Sequence, residues 1–289
     1  MITGRTNTIG VVVADIENVF FARPVRGITD AARAEGFEVA LTNTDEDSAS
    51  ERAAMKTLLD KRVDGVIIAP ASAHDHDHLD SARRSGFPVT LLDRTLPDLA
   101  LDTVVADNRE AAARVIRRLT AAGHRRIGMV TGADARRRPR GPAASTGADR
   151  VAGYLDALRE AGVPDHGRYL GGGATGREPA ERVTAELLAL PDPPTAIFAS
   201  DSVVAVGALA AVRTAGLRIP ADISFVAFDD ADWTVVVDHP LSVVAQPAHE
   251  LGATAVRLLV ARIRGAAHPA ETRVLPTRFL DRASIGSPS

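Results

Sequence analysis

Cysteine is absent from all 289 residues, which removes disulfides, thiolate metal sites and thiol nucleophiles together. Lysine is nearly absent: Lys56 and Lys61 are the only two, so almost all positive charge is arginine. With abundant alanine, that skew points to GC-rich codon usage rather than to a function. Two tyrosines and one tryptophan leave few platforms for stacking on bases. A net charge of −3 argues against general nucleic-acid affinity. No apolar run approaches the ~18–20 residues that a membrane span needs. The start, Met1-Ile-Thr-Gly-Arg5, lacks the apolar core of a signal peptide, so neither membrane insertion nor export is supported and a cytoplasmic location is expected.

What is present is a regular alternation. Strands are expected at 8–13, 37–42, 64–69, 88–92, 102–106, 126–131, 195–199, 223–228 and 241–245. Helices are expected at 20–35, 47–61, 77–85, 108–122, 148–161, 177–190, 201–215 and 248–264. Gly36, Gly86, Gly123, Gly162 and Gly216 stand where helices end and suit left-handed C-caps. This βαβ rhythm argues for parallel sheets covered on both faces. Five strands fall before residue 107 and a second series starts near Arg126, so two sheets of about five or six strands fit better than one large sheet. The stretch from Ala133 to Ala148, rich in Arg, Pro, Gly and Ser, reads as a surface loop.

The most informative segment runs from Thr8 to Phe21. The apolar run Ile9–Val13 reads as a strand buried on both faces; it meets Asp15 and Asn18, then the adjacent aromatics Phe20 and Phe21. In open α/β sheets ligands sit beyond the carboxyl ends of strands, so these four residues form one wall of a candidate binding cleft. The competing reading makes both phenylalanines core residues of the following helix. Adjacent helix positions do not share a face, which favours the cleft for Phe20 more than for Phe21.

Four segments taken in order resemble the effector-binding core of the LacI/GalR family of bacterial transcription regulators. They are the opening Thr6-Asn-Thr-Ile-Gly-Val-Val-Val-Ala-Asp-Ile-Glu-Asn-Val-Phe-Phe21, then Gly123-His-Arg-Arg-Ile-Gly128, then Pro194-Thr-Ala-Ile-Phe-Ala-Ser-Asp201 with Ile219-Pro-Ala-Asp-Ile-Ser-Phe-Val-Ala-Phe-Asp-Asp230, and the ending Leu275-Pro-Thr-Arg-Phe-Leu-Asp-Arg-Ala-Ser284. The resemblance implies an α/β fold of the periplasmic-binding-protein type I: two Rossmann-like lobes of parallel sheet flanked by helices, joined by three crossover hinges. The lobes would be discontinuous, 6–106 with 247–274 and 107–246 with 275–289. Members of the family carry a helix-turn-helix of roughly sixty residues and a hinge helix ahead of this core, as independent DNA-reading modules do. The chain is therefore read as an effector domain without that head, Thr3–Asn7 resembling the linker after it. It is expected to form a homodimer and to reach operator DNA only through the missing domain.

The family likeness also assigns residues. A sugar site needs carboxylates and amides for hydroxyls and an aromatic face for the ring. Besides Asp15, Asn18, Phe20 and Phe21, the resemblance points to Asp93 and Arg94 after the strand at 88–92, although a plain turn-capping role for Asp93 is the alternative. Arg150, three residues before Gly153-Tyr154, matches the family's effector-binding arginine. Dipole energetics do not place a cation near a helix start, so a specific polar role is expected there, with forked donors offered to the ligand. Asp229 matches the first aspartate of the Phe-Asp-Asp loop, and Asp230 is expected to cap the next short helical turn. Gln246, counted among the candidate ligand residues, lies in a crossing, where a hydrogen bond across the hinge and a purely structural role are equally open. Two departures leave more room for the ligand: Ser200 stands before Asp201 where an asparagine is common, and Ala174 occupies a position that in several members is aromatic.

Other motifs are set aside. Gly171-x-Gly173-x-x-Gly176 lacks the preceding strand and following acid of a dinucleotide fingerprint. His74-Asp-His-Asp-His78 looks metal-like but reads better as a solvated run opening a helix. Arg136-Arg-Arg-Pro-Arg140 reads as surface. No catalytic motif is found, so no catalytic residue, cofactor or metal is expected. The rival readings are an exported solute-binding protein that feeds a transporter and, last, a sugar-modifying enzyme.

Overall fold

The computed structural model describes residues 6–133, 145–164 and 167–288. The basic run Arg136–Arg140 and the first residues of the expected linker lie outside the described residues. The chain divides into two compact units. Unit one runs up to Ala106 and resumes at Pro247–Leu275; unit two is Asp107–Gln246 and the chain from Pro276 onward. The polypeptide therefore passes between them three times.

Unit one carries β1 (Thr8–Val13), α1 (Ala22–Ala34), β2 (Glu38–Asn43), α2 (Ser48–Asp60), β3 (Gly65–Ile68), α3 (Asp77–Arg84), β4 (Val89–Leu92) and β5 (Asp102–Ala106). Unit two carries α4 (Asn108–Ala121), β6 (Ile127–Val130), α5 (Ser145–Glu160), β7 (Leu170–Gly171), α6 (Arg177–Leu188), β8 (Ala196–Ala199), α7 (Ser202–Thr214), β9 (Ser224–Phe228) and β10 (Ser242–Ala245). The chain returns to unit one as α8 (Ala248–Ile263) and β11 (Thr272–Leu275), then ends in unit two with β12 (Arg278–Leu280). The two six-stranded sheets have matching orders, β11-β5-β4-β3-β1-β2 and β12-β10-β9-β8-β6-β7. Every described pairing is parallel except that of β12 with β10.

The central strands are fully buried, as near-continuous Val/Ile/Ala runs require when helices cover both faces. The strands missing from the sequence reading are β7, β11 and β12. Each has two to four residues, and β11 exposes three of its four, so no apolar run marks it. Two helix starts also differ from expectation. Helix α1 begins at Ala22, because Asn18 Oδ1 and its carbonyl accept the amides of Phe20 and Phe21 in a turn. Helix α5 is already formed at Ser145, within the segment expected to be loop. The five C-cap glycines all adopt positive φ, between 64° and 101°.

Helices pack closely where glycine permits. A Cβ on Gly252 of α8 would lie 2.1 Å from the Pro24 carbonyl oxygen of α1, and one on Gly153 of α5 would lie 2.0 Å from that of Arg109 on α4. The second contact matters for the site, because it seats α5 against the first turn of α4. The end of the chain is stitched to unit two by buried polar groups. Ser284 Oγ donates to the Phe225 carbonyl and accepts from the Ser242 amide. The His124 ring meets Thr195 Oγ1, Ser224 Oγ and the Gly286 carbonyl at 2.8, 2.9 and 3.0 Å.

Gly252→Ala forces α1 and α8 apart and is expected to cost about 1–3 kcal/mol, read as a lower urea midpoint with unchanged slope. His124 titrates below the ordinary histidine value of 6.5, chiefly because burial disfavours its charged form. The unfolded chain then binds a proton that the folded one refuses, so its contribution to stability is present above 6.5 and is lost as pH falls below it. Urea unfolding of the parent and of His124→Gln at neutral and mildly acidic pH checks this: the substitution should flatten the pH dependence.

Candidate functional site

The candidate residues stand at the carboxyl ends of strands in each unit. Asp15 follows β1 and Asp93 follows β4; Ser200 follows β8, Asp229 follows β9 and Gln246 follows β10. Asp93 and Asp229 hold equivalent places in the two sheets. Both have positive φ, 67° and 75°, and each amide donates to the neighbouring strand, to Val104 at 2.8 Å and to Val244 at 2.9 Å. A left-handed backbone at a non-glycine residue costs energy and persists where surrounding bonds dictate it, often at functional positions.

In unit one, Asp15 and Asn18 are half-buried and use their side chains locally. Asp15 Oδ1 accepts the Glu17 amide at 2.8 Å, and Asn18 Oδ1 the Phe20 amide at 3.0 Å. Phe20 and Phe21 are both buried in one core cluster, their rings edge to face at 5.1 Å. Phe20 shares that core because it lies in the turn before α1, where the helical face argument does not apply. Arg94 is buried. Nη1 donates to Glu46 and to the Pro70 carbonyl at 2.6 and 2.8 Å, and Nη2 to Glu46 at 2.5 Å. Burial alone would lower its pKa, but the Glu46 carboxylate outweighs that and raises it. Nη1 and Nη2 thus fasten the loops after β2 and β3, while Nε is buried without a hydrogen-bond acceptor.

In unit two, Arg150 organises the polar groups. It is buried in the second turn of α5, not at the helix start. Nε donates to Asn108 Oδ1 at 2.8 Å and Nη1 to the Ser200 carbonyl at 2.7 Å. The guanidinium lies 3.6 Å from the centre of the Phe228 ring, a cation–π contact. Nε and Nη1 thus each have an acceptor within the protein, which closes the side-on fork of the guanidinium. Ser200 Oγ donates to Asp201, and Asp201 also accepts the Val204 amide as the N-cap of α7. Burial pushes the Asp201 carboxyl above its ordinary range, against the pull of that amide and of Arg150. Gln246 Nε2 donates to Asp229 Oδ1 at 2.7 Å. Ala174 is buried within an apolar cluster that includes Val130, Ala180 and Ile197.

Two expectations outside the site are also corrected. Asp230 does not cap the short 3₁₀ turn Asp232–Val235, whose N-cap is Ala231; it pairs with Arg282 at 2.7 Å. The histidine run is not all solvated, since His78 is largely buried and meets the fully buried Glu51 at 2.8 Å. Among the described residues no cluster of three or more His, Cys, Asp or Glu is placed to hold a metal.

Residues 6–283 match the family model described as periplasmic binding proteins and sugar binding domain of the LacI family. The chain belongs to the LacI family. Among LacI-family regulators, it is 31% identical over 280 residues to the HTH-type transcriptional repressor CytR of Escherichia coli K12, covering 97% of this chain and 80% of the repressor. A ribose-bound LacI-family regulator from Enterococcus faecium superposes with a TM-score of 0.85 at 29% identity, covering 96% of this chain and 98% of that one. The complex of the regulator CelR with cellobiose gives 0.87 at 27%, over 97% and 85%. The fold is thus the periplasmic-binding-protein-like type I of LacI-family regulators, and the chain corresponds to their effector-binding domain.

The sequence reading missed Asn108, Phe228, Asp107 and Thr277. Asp107 Oδ1 accepts the Thr277 amide at 2.8 Å while Arg114 donates to Asp107 and to the Thr277 carbonyl. The adjacent polar pair Asp107-Asn108, directly between a strand and a helix, was the available signal; it resembles a capping pair and nothing more. Arg94→Ala should strand the buried Pro70 carbonyl and cost about 1–3 kcal/mol of unfolding free energy. Unchanged urea stability would mean that these bonds do not hold the loops.

Proposed function

We propose that this LacI-family effector domain senses a sugar or similar small polar metabolite, and acts as a homodimer. The observation that carries this is the anchoring of unit two's polar side chains. Arg150 is bonded to Asn108, beside the first crossing, and Asp229 to Gln246, beside the second. A ligand that engages either side chain therefore acts on a segment where the chain changes unit. Hinge closure follows if the closed arrangement binds the ligand better, since only differential affinity shifts an equilibrium. A coupling of ~1–3 kcal/mol would alter operator affinity roughly 5–150-fold. DNA contact would belong to a helix-turn-helix like those for which the relatives are named.

The repressors found as relatives favour this reading over an exported solute-binding protein and over an enzyme. Ribose and cellobiose, the ligands of two similar structures, head the panel of sugars for thermal-shift screening, because a ligand that binds only the folded state raises the melting temperature. Arg150→Ala and Asp229→Ala are each expected to weaken the sugar that scores by about 2–4 kcal/mol, because each strands a desolvated partner. Calorimetry that shows unchanged affinity in both variants would overturn the assignment.

A further inference from the structure

Two of the three crossings are continuations of neighbouring strands. β5 ends at Ala106 and β11 at Leu275, the last residues of unit one before the first and third crossings. The strands pair in parallel, Thr103 opposite Thr272 and Ala106 opposite Leu275. β11 is an edge strand that exposes three of its four residues, so burial contributes little to holding it in place. At each end of the ladder an aspartate side chain adds a rung. Before its start, Asp102 Oδ1 accepts the Glu271 amide at 3.0 Å. Beyond its end, Pro276 has no N–H to donate, and the next amide, that of Thr277, goes to Asp107 Oδ1 at 2.8 Å. The first of these rungs lies within unit one and the second within unit two.

An arginine backs each aspartate. The buried Asp102 takes both Nε and Nη2 of Arg262, at 2.7 and 2.9 Å. Burial alone would raise its pKa, but the Arg262 bonds and the Glu271 amide together hold it below the ordinary carboxylate range. Arg262 also donates to the His268 and Pro269 carbonyls, in the loop that leads into β11. Arg114 spans the other rung, with Nη2 on Asp107 Oδ2 at 3.2 Å and Nη1 on the Thr277 carbonyl at 3.1 Å. The second crossing is built differently, since it leaves β10 and enters unit one as the start of α8. Hinge motion is absorbed by a few residues at the ends of elements. Two segments fastened to each other on both sides of that point cannot absorb it independently. We propose that the first and third crossings form one two-stranded pivot, pinned by Asp102 in unit one and by Asp107 in unit two, so that they bend together. Asp107 and Arg114 thereby narrow the range of orientations that the units sample. This rests on the hinge-closure reading above and deepens it, without depending on a sugar as the effector.

The lack of native cysteine makes the test direct. Spin labels on Ala34→Cys and Ala185→Cys, at exposed positions of α1 and α6, report one distance between the units by pulsed electron–electron double resonance. Labelled protein is diluted with unlabelled protein so that distances within one chain dominate, and no sugar is added. Asp107→Ala and Arg114→Met should each broaden the distance distribution of the labelled parent. Arg218→Ala, which cuts an exposed ion pair of unit two away from the crossings, should leave it unchanged. The parent distribution in either folded pin variant overturns the proposal, as does equal broadening in Arg218→Ala. Hydrogen exchange of the parent needs no variant: the Glu271 and Thr277 amides should exchange as slowly as those of the β5–β11 ladder, and free exchange of either overturns the proposal. Failure of every sugar in the thermal-shift panel would count against the sugar-sensing reading and leave both results standing.

Discussion

A parallel strand buried on both faces can present polar groups only near its ends. That constraint organises this molecule. The central strands of both sheets are fully buried and mostly apolar, with helices covering them, and most of the polar chemistry is displaced to the residues that follow. Asp93 and Asp229 show the consequence most clearly. Each leaves its strand in a left-handed conformation with its amide tied to the next strand, so the backbone turns sharply while the carboxylate stays at the strand end. The same construction occurs once in each unit because the two sheets share one strand order.

The arginines show how burial redirects function. A buried guanidinium must find acceptors, and both Arg94 and Arg150 do so inside the protein. For Arg94 the acceptors are Glu46 and Pro70, which makes it a fastening between loops. For Arg150 they are Asn108 and Ser200, which ties α5 to the start of α4 and to the end of β8. The same side-chain chemistry thus fastens loops to one another in one unit, and helices to a strand end in the other. Packing makes the difference, since Gly153 lets α5 approach α4 closely enough for Nε to reach Asn108.

Crossing segments and site residues are coupled by direct bonds rather than by proximity alone. Asp107 and Asn108 are neighbours in sequence, and the first holds the Thr277 amide near the third crossing while the second holds Arg150. Gln246 does both tasks at once, lying at the second crossing and donating to Asp229. A single hydrogen bond thus separates each of Arg150 and Asp229 from a residue beside a crossing.

The sequence alone determined the fold class, the two batches of strands, the helix C-caps and the strand ends where polar groups collect, because apolar runs, periodicity and glycine placement are local properties. It also carried the family, through an ordered set of motifs. It did not reveal β7, β11 or β12, which are too short or too exposed to leave an apolar signature, nor the turn that puts Phe20 into the core beside Phe21. Only the tertiary structure decided what each arginine's donors meet. Asn108 lies 42 residues from Arg150 in the chain, and Ser200 lies 50 away. No spacing rule connects them; the packing of α5 on α4 and the end of β8 do.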